Sequence, residues 1–438
     1  MKSNKLTVLI LVAMVLGLAT GGFTHECLSA DQIKEVGGYL SMITTIFLRL
    51  IKMIIAPLVF CTVVSGIAGM GDGKAVGRIG LRALGWFICA SLVSLCIGLI
   101  MASALQPGAG MHVATPAADT ASGLKVASLD VKIFLTQIFP TSIFDAMTSN
   151  NILQILVFAI FLGFALASQA GTRADLAIKL FEEMVHVMLR VTNFVMLFAP
   201  IGVFAAVGSA VALNGFEIIV TYGKYMGSFY LALAVLWIVL ILAGGVFLKG
   251  SVFRLVKLVR APMILGFCTA SSEAAYPITM QALERFGVKN RIVSFMLPLG
   301  YSFNLDGSMI NMTFASLFIA QIYGVDMTIA QKITMLLVLM ISSKGIAGVP
   351  RASLVVVAAV LPIFHIPEAG ILLVMGIDQF LDMGRTATNV LGNCVATAVV
   401  AKWEGALSAS EESQDDEFLP EPEFEPENGR IGVLEPTS

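Results

Sequence analysis

One stretch limits what this chain can fold into. Gly376 to Lys402, GIDQFLDMGRTATNVLGNCVATAVVAK, is long and apolar enough to cross a bilayer, which takes about 20 helical residues. Yet it carries Asp378, Asp382, Arg385, Asn389 and Asn393. Their spacings of 4, 3, 4 and 4 put all five on one helical face, with Thr386 beside the stripe. Charge inside a bilayer is costly, so such a face turns to the protein interior or to a wet cavity. The plainer alternative is an Asp382–Arg385 pair, three residues apart, that only neutralises itself. That alternative leaves the second acid and the two amides of the stripe without a purpose. The helix therefore reads as one wall of a polar substrate site.

The rest of the chain is equally apolar: of 438 residues, 57% are hydrophobic and 13% charged, and mean hydropathy is +0.89. This is the composition of an integral membrane protein. The net charge of −2 hides an asymmetry. From Glu404 onward there are eleven acids and one base, Arg430; the remainder holds 26 bases and 18 acids, about +8. Six scattered cysteines show no metal or redox spacing and read as packing residues. Common hydrolase, zinc-protease and Walker-type motifs are missing, which argues against an enzyme or an ATPase and for energy drawn from an ion gradient or another subunit. Lys2 and Lys5 precede an apolar run to Phe23 that is long for a signal core and has no clear cleavage site, so it is expected to stay as a first span.

Apolar patterning predicts six spans in the first part: 6–23, 38–70, 78–106, 131–170, 180–212 and 216–248. The fourth is expected to break at Thr148-Ser149-Asn150-Asn151. Lys2 and Lys5, then Lys74, Arg78 and Arg82, then Arg173 and Lys179, then Lys249, Arg254, Lys257 and Arg260 alternate with base-poor loops, apart from Lys34 and Lys125. That alternation places both termini in the cytoplasm. Segment 252–286 begins and ends basic, with TASSEAAYP between, and is expected to enter and leave on one side as a re-entrant hairpin. Such a loop is tolerated only where protein or a cavity surrounds it. A helix over 292–323 follows, interrupted at SFNLDGS. The plan then recurs: a second hairpin over 329–367, tipped by SSKGIAGVP, and the polar helix 371–404. Hairpin then interrupted helix, twice, is the pattern of inverted repeats, which place binding sites at the bilayer midplane. The acidic, Pro-rich stretch 405–438 is expected to be a disordered tail.

ASSEAAYP, SFNLDGS, SSKGIAGVP and DMGRTATNVLGN, with FLRLIKMIIAPLVF and APIGVFA, together resemble the dicarboxylate/amino acid:cation symporters, the glutamate transporter family, and within it the bacterial proton/glutamate symporters. The resemblance covers residues 1–404 and not the tail. It implies an all-α membrane fold of eight spans and two re-entrant hairpins, assembled as a homotrimer in the bacterial inner membrane. Spans one, two, four and five would form a scaffold. Spans three, six, seven and eight would form, with the hairpins, a transport part that moves like an elevator. Position by position, Arg385 matches the residue that grips a substrate carboxylate, for which a guanidinium fork is suited. Asp382 matches the acid that takes an α-ammonium. Thr386, Asn389, Ser272, Ser308, Gly348 and Val349 match further substrate contacts. Arg49 and Lys52 belong to a motif with no role assigned beyond snorkelling or a scaffold contact.

Having both Asp382 and Arg385 favours import of glutamate and aspartate, because dicarboxylate-only relatives tend to lack the acid; C4-dicarboxylate symport is the alternative. No cofactor is implied beyond a coupling cation. Sodium positions of the family correspond to Gly300, Asn304, Asn389 and Asn393, to Asp306 with Asn304, and to the backbone around Ser302 and Ser343. Asn393 replaces an acid, and Phe87 and Ala90 replace two hydroxyl residues, with Ser91 retained. Both changes weaken sodium sites and favour protons, with Glu273 or Asp306 as the proton carrier because a buried carboxyl holds its proton more readily. Glu273 has a plainer reading too, as a first-turn acid facing free backbone N–H groups. A channel and an Asp306/Asp382 intramembrane protease are the competing classes; Arg385 beside Asp382 opposes proton sharing in the latter.

Overall fold

The computed structural model describes residues 3–68, 73–109, 136, 138–169, 174–215, 222–343 and 352–408. It is helical throughout, with one isolated antiparallel bridge among the described residues, Val288 to Leu407.

The first group of helices packs on itself. Helix α1 (Ser3–Cys27) runs along α7 (Ala199–Asn214), and α2 (Ala30–Ala68) lies against α7, α5 (Ile152–Ala167) and α6 (Asp175–Met196). Small residues permit the first contact: a Cβ at Gly17 would stand 2.7 Å from the Phe204 carbonyl oxygen, and one at Gly21 2.6 Å from that of Gly208. The expected break in the fourth span is present: α4 (Ile143–Thr148) ends at Ser149, and Asn151 caps α5 by accepting from Gln154 N–H. The fifth span, expected as one helix, is two. Helices α6 and α7 meet at 51°, where Pro200 starts the second.

The second group surrounds α16 (Asp378–Trp403). Against it lie α3 (Gly73–Leu105), α8 (Gly223–Leu248), α9 (Ser251–Thr269), α10 (Ser272–Phe286), α11 (Asn290–Phe303) and α12 (Asp306–Ile322). Helices α9 and α10 form the first hairpin. Its turn is made by Ala270 in the left-handed region (φ 50°) and by Ser271, whose hydroxyl accepts from Ala274 N–H. Gly287 (φ 104°) ends α10 in the left-handed conformation that suits glycine. The interruption between α11 and α12 falls at Asn304 and Leu305, as SFNLDGS predicts. Of the second hairpin, α13 (Ile329–Ser342) and α14 (Ala352–Val360) are described; the tip with Lys344 to Pro350, and so Gly348 and Val349, lies outside the described residues. A five-residue α15 (Ile371–Met375) precedes α16.

Among the described residues, four helices are long and apolar enough to span a membrane, and the bent α6–α7 pair makes a fifth. The expected eight spans are thus met in part. Helix α16 has the length, with 26 residues, but its polar stripe lowers its hydropathy, and α11 and α12 are halves of one interrupted segment.

The C-terminal boundary expected at 404 also shifts. Residues 405–408 are tied down: Ala406 is buried, its carbonyl accepts from Lys289 N–H (3.1 Å), and Ser408 N–H donates to Gly287 C=O (2.9 Å). Residues 409–438 lie outside the described residues.

Candidate functional site

The polar stripe of α16 is buried except at Asp382, which is half-buried. Arg385, Asp378, Thr386, Asn389 and Asn393 are each at most 6% exposed. Two aromatic residues of α8 hold this helix at the level of the charges. Tyr230 donates to Phe380 C=O (2.6 Å), and Trp237 Nε1 donates to Thr388 Oγ1 (2.8 Å). Gly384 lets the Tyr230 ring pack on the helix backbone between Asp382 and Arg385, since a Cβ there would meet it at 2.8 Å.

Asp382 and Arg385 do close on each other. Arg385 Nε donates to Asp382 Oδ1 at 2.7 Å, and Thr386 Oγ1 donates to the same oxygen at 3.1 Å. The ion pair that the sequence offered as the plainer alternative therefore exists, but it is not self-contained. Arg385 Nη1 lies 3.7 Å from Asp378 Oδ1 and has no hydrogen-bond partner among the described residues. Among the described residues, both hydrogen bonds to Asp382 fall on Oδ1, and its side chain is 24% exposed. One guanidinium is thus shared by two carboxylates and still has donor capacity, which a buried group does not normally leave unused.

The interrupted helix completes the site. Asn389 Oδ1 accepts from Gly307 N–H (2.8 Å) and Ser308 N–H (3.4 Å), and its Nδ2 donates to Ser308 Oγ (3.2 Å). The first turn of α12, where backbone N–H groups lack helical partners, is therefore pinned beside Arg385. The approach is tight: a Cβ at Gly307 would stand 2.4 Å from the Arg385 carbonyl oxygen. From the first hairpin, Gly266 of α9 faces Thr386, whose Cγ2 would lie 3.2 Å from an added Cβ. Ser272 C=O at the hairpin tip accepts from Tyr301 OH of α11 (2.9 Å). Ser272, Ser308, Thr386, Arg385, Asp382 and Asn389 thus belong to one group of packed helices.

A second group of oxygens lies next to the first. Fully buried Asn304 donates through Nδ2 to Asp306 Oδ2 (3.1 Å), and Ser94 Oγ of α3 lies 3.5 Å from Asp306 Oδ1. Asn304 Oδ1 and Asn393 Oδ1 have no hydrogen-bond partner among the described residues. Gly300 makes room for Asn393 and Gly392 for Asp306: a Cβ at Gly300 would meet Asn393 Oδ1 at 2.2 Å, and one at Gly392 would meet Asp306 Oδ2 at 2.1 Å. Asn304 Oδ1 and Asn393 Oδ1 are buried acceptors without a donor among the described residues, the chemistry that suits a hard cation. Phe87 packs over Gly300, so the hydroxyl missing from that position is not restored there, whereas Ser94, which the sequence reading passed over, supplies one. Ser302 and Ser343 are buried but donate to the local carbonyls of Pro298 and Met340.

Glu273 is directed elsewhere. It sits in the first turn of α10, and its carboxylate lies 3.7 Å from Lys52 Nζ of α2. This gives Lys52 a partner that its motif did not reveal, and it links the first group of helices to the hairpin tip. Asp306 accepts from Asn304, and Asp382 accepts from Arg385 and Thr386.

A model of the sodium:dicarboxylate symporter family matches residues 6–403. The chain belongs to that family. Sodium:dicarboxylate symporters are membrane transporters, so this chain is one, and it is not an enzyme. Among its relatives, the "C4-dicarboxylate transport protein" of Paracidovorax citrulli is 40% identical over 94% of this chain and 90% of its own length. The protein of the same name from Pseudomonas savastanoi pv. phaseolicola is 41% identical over 91% and 85%. The "C4-dicarboxylate transport protein 2" of Polaromonas naphthalenivorans is 40% identical over 92% and 89%. Asp378 was legible as part of the stripe, but its contact with Arg385 was not: they are two helical turns apart and meet only through the length of the arginine side chain.

Proposed function

We propose that this protein imports C4-dicarboxylates by cation symport, with Arg385 as the carboxylate receptor. The observation that carries the reading is the buried Arg385 Nη1 without a hydrogen-bond partner among the described residues, beside the Asn389–Ser308 pair and the opening of α12. The names of the relatives support the same substrate class. So does the state of Asp382, whose Oδ1 already accepts from Arg385 and Thr386.

Charge balance argues for coupling. Asp378 and Asp382 already share Arg385, so a substrate dianion would add negative charge to a site that holds two acids beside one guanidinium, and bringing in such charge without a counter-ion is costly in a low-dielectric interior. Cations must therefore enter with the substrate, and the acceptor oxygens of Asn304, Asn393 and Asp306 would receive them. Protons are preferred over sodium because Asn393 brings no charge to the site. An elevator movement of the second helix group against the first, a homotrimer and cytoplasmic termini in a bacterial inner membrane are parts of the same proposal, supported by the family resemblance and the positive-inside pattern.

A second reading, uptake of aspartate or glutamate, is favoured by one observation. Asp382 Oδ2 accepts no hydrogen bond among the described residues, and the side chain is partly exposed, as an ammonium-binding acid would be. Aspartate is itself a C4-dicarboxylate with an ammonium added, so the readings differ at this one carboxylate. Uptake of labelled succinate and aspartate into proteoliposomes, under a proton gradient without sodium, decides between them. The C4-dicarboxylate reading expects succinate uptake that Asp382→Ser changes by less than about threefold, a weak-contact effect. Aspartate uptake that exceeds succinate uptake and collapses in Asp382→Ser establishes the second reading. Strict sodium dependence overturns the proton assignment.

A further inference from the structure

The acidic segment after residue 408 takes no part in the site above. Between 409 and 438 there are ten acids and one base. The chain enters this segment from a fixed point. Leu407 pairs with Val288, and Ser408 N–H donates to Gly287 C=O, so Ser408 rests on the loop that joins α10 to α11.

That loop lies within a basic surface. Arg254 and Lys257 are exposed on α9, and Lys289 and Arg291 are exposed at the start of α11. Arg254 stacks over the Phe286 ring (6.0 Å) and reaches Arg285 C=O (3.5 Å), which joins the base of α9 to the end of α10. The carboxylates near this surface are already engaged. Glu284 accepts from Asn290, and Glu404 accepts from Arg78 and Arg82. Among the described residues, no salt bridge joins Arg254, Lys257, Lys289 or Arg291 to an acid. Glu411 and Glu412 follow Ser408 by three and four residues, a reach of roughly 10–14 Å.

We propose that segment 409–438 docks through its carboxylates on this basic rim, strapping the base of the first hairpin to the end of α16. An anionic lipid headgroup is the rival occupant of the same cations, and the segment has the stronger claim because it is tethered beside them and is always present.

Zero-length carbodiimide cross-linking of the full chain in lipid-free detergent, read by peptide mass spectrometry, tests the strap. Peptides from 409–438 are expected to couple to Lys257 and Lys289 at about 0.01 M salt. The yield should fall about fivefold at about 1 M, where the screening length drops to about 3 Å. Arg254→Gln/Arg291→Gln, which leaves both lysines in place, should lower the yield by a similar factor. Yields indifferent to salt and to the double variant would mean that the tether alone brings the groups together, and would overturn the proposal. Coupling that appears in detergent and disappears in vesicles of about one-third phosphatidylglycerol would assign the rim to lipid and overturn it as well. The readout needs no substrate, so it stands apart from the transport reading.

Discussion

The two ends of α16 each hold a three-charge cluster with opposite composition. Near its start, one buried guanidinium serves two carboxylates, Asp378 and Asp382. At its end, one buried carboxylate, Glu404, serves two guanidinia that are 53% and 38% exposed, Arg78 and Arg82. The end cluster is complete. Glu404 accepts at 2.7 Å from each arginine, Arg82 also donates to Trp403 C=O, and excess positive charge faces water. The start cluster is incomplete: Arg385 Nη1 has no hydrogen-bond partner among the described residues. Complete clusters anchor a helix; incomplete buried ones invite a ligand.

Breaking the interior cluster should have the largest effect. Arg385→Ala is expected to reduce succinate uptake at least about 100-fold, because it removes the carboxylate fork and takes from Asp378 and Asp382 the guanidinium they share. Arg385→Lys should recover little, since an ammonium cannot replace the fork. Uptake within about threefold of the parent chain in either variant would mean that Arg385 only balances charge. Next comes Gly392→Ala. Its added Cβ would displace Asp306 Oδ2 and its bond to Asn304. We expect protein that still reaches the membrane but whose uptake responds about tenfold less to the cation gradient; an unchanged response would remove Asp306 from coupling.

Asp378→Asn sharpens the comparison, because it keeps shape and deletes one of the two acids on Arg385. With less negative charge nearby, succinate should bind about fivefold more tightly, read as a lower KM. Weaker binding would show that Asp378 serves to orient Arg385 instead. The smallest effect belongs to the surface cluster. Glu404→Gln is expected to cost about 1 kcal/mol or less, measured by thermal unfolding in detergent, and less again in high salt. The hydrogen bond from Arg78, with the two arginine charges, holds the Glu404 carboxyl below its usual range. A depressed carboxyl stabilises the fold above its unfolded value, near 4.3, and that contribution is lost as pH falls through the lower folded value. The clasp should therefore persist from neutral pH down through the ordinary carboxylate range and be lost only below it.

Much of this was legible in the sequence because it is local. The breaks at Ser149–Asn151 and Asn304–Leu305 and the turn at Ala270–Ser271 lie where small, polar and Pro-rich stretches interrupt apolar periodicity. The polar face of α16 followed from spacing alone. Contacts between distant segments were not legible. Lys52 and Glu273 are 221 positions apart and reveal nothing of each other in the chain. Tyr230 and Trp237 look like ordinary aromatic residues of an apolar span until Phe380 and Thr388 are placed against them. The bend between α6 and α7 was missed because apolar character continues across it.

The glycines of this core carry one more consequence. Gly307 rests on the carbonyl of Arg385, and Gly392 rests on the carboxylate of Asp306. The proposed anion receptor and the proposed cation pocket therefore meet across tightly packed backbone of α12 and α16. In that proposal a small ion that shifts Asp306 would press on the helix that carries the guanidinium, so that one cargo would sense the other by direct contact alone.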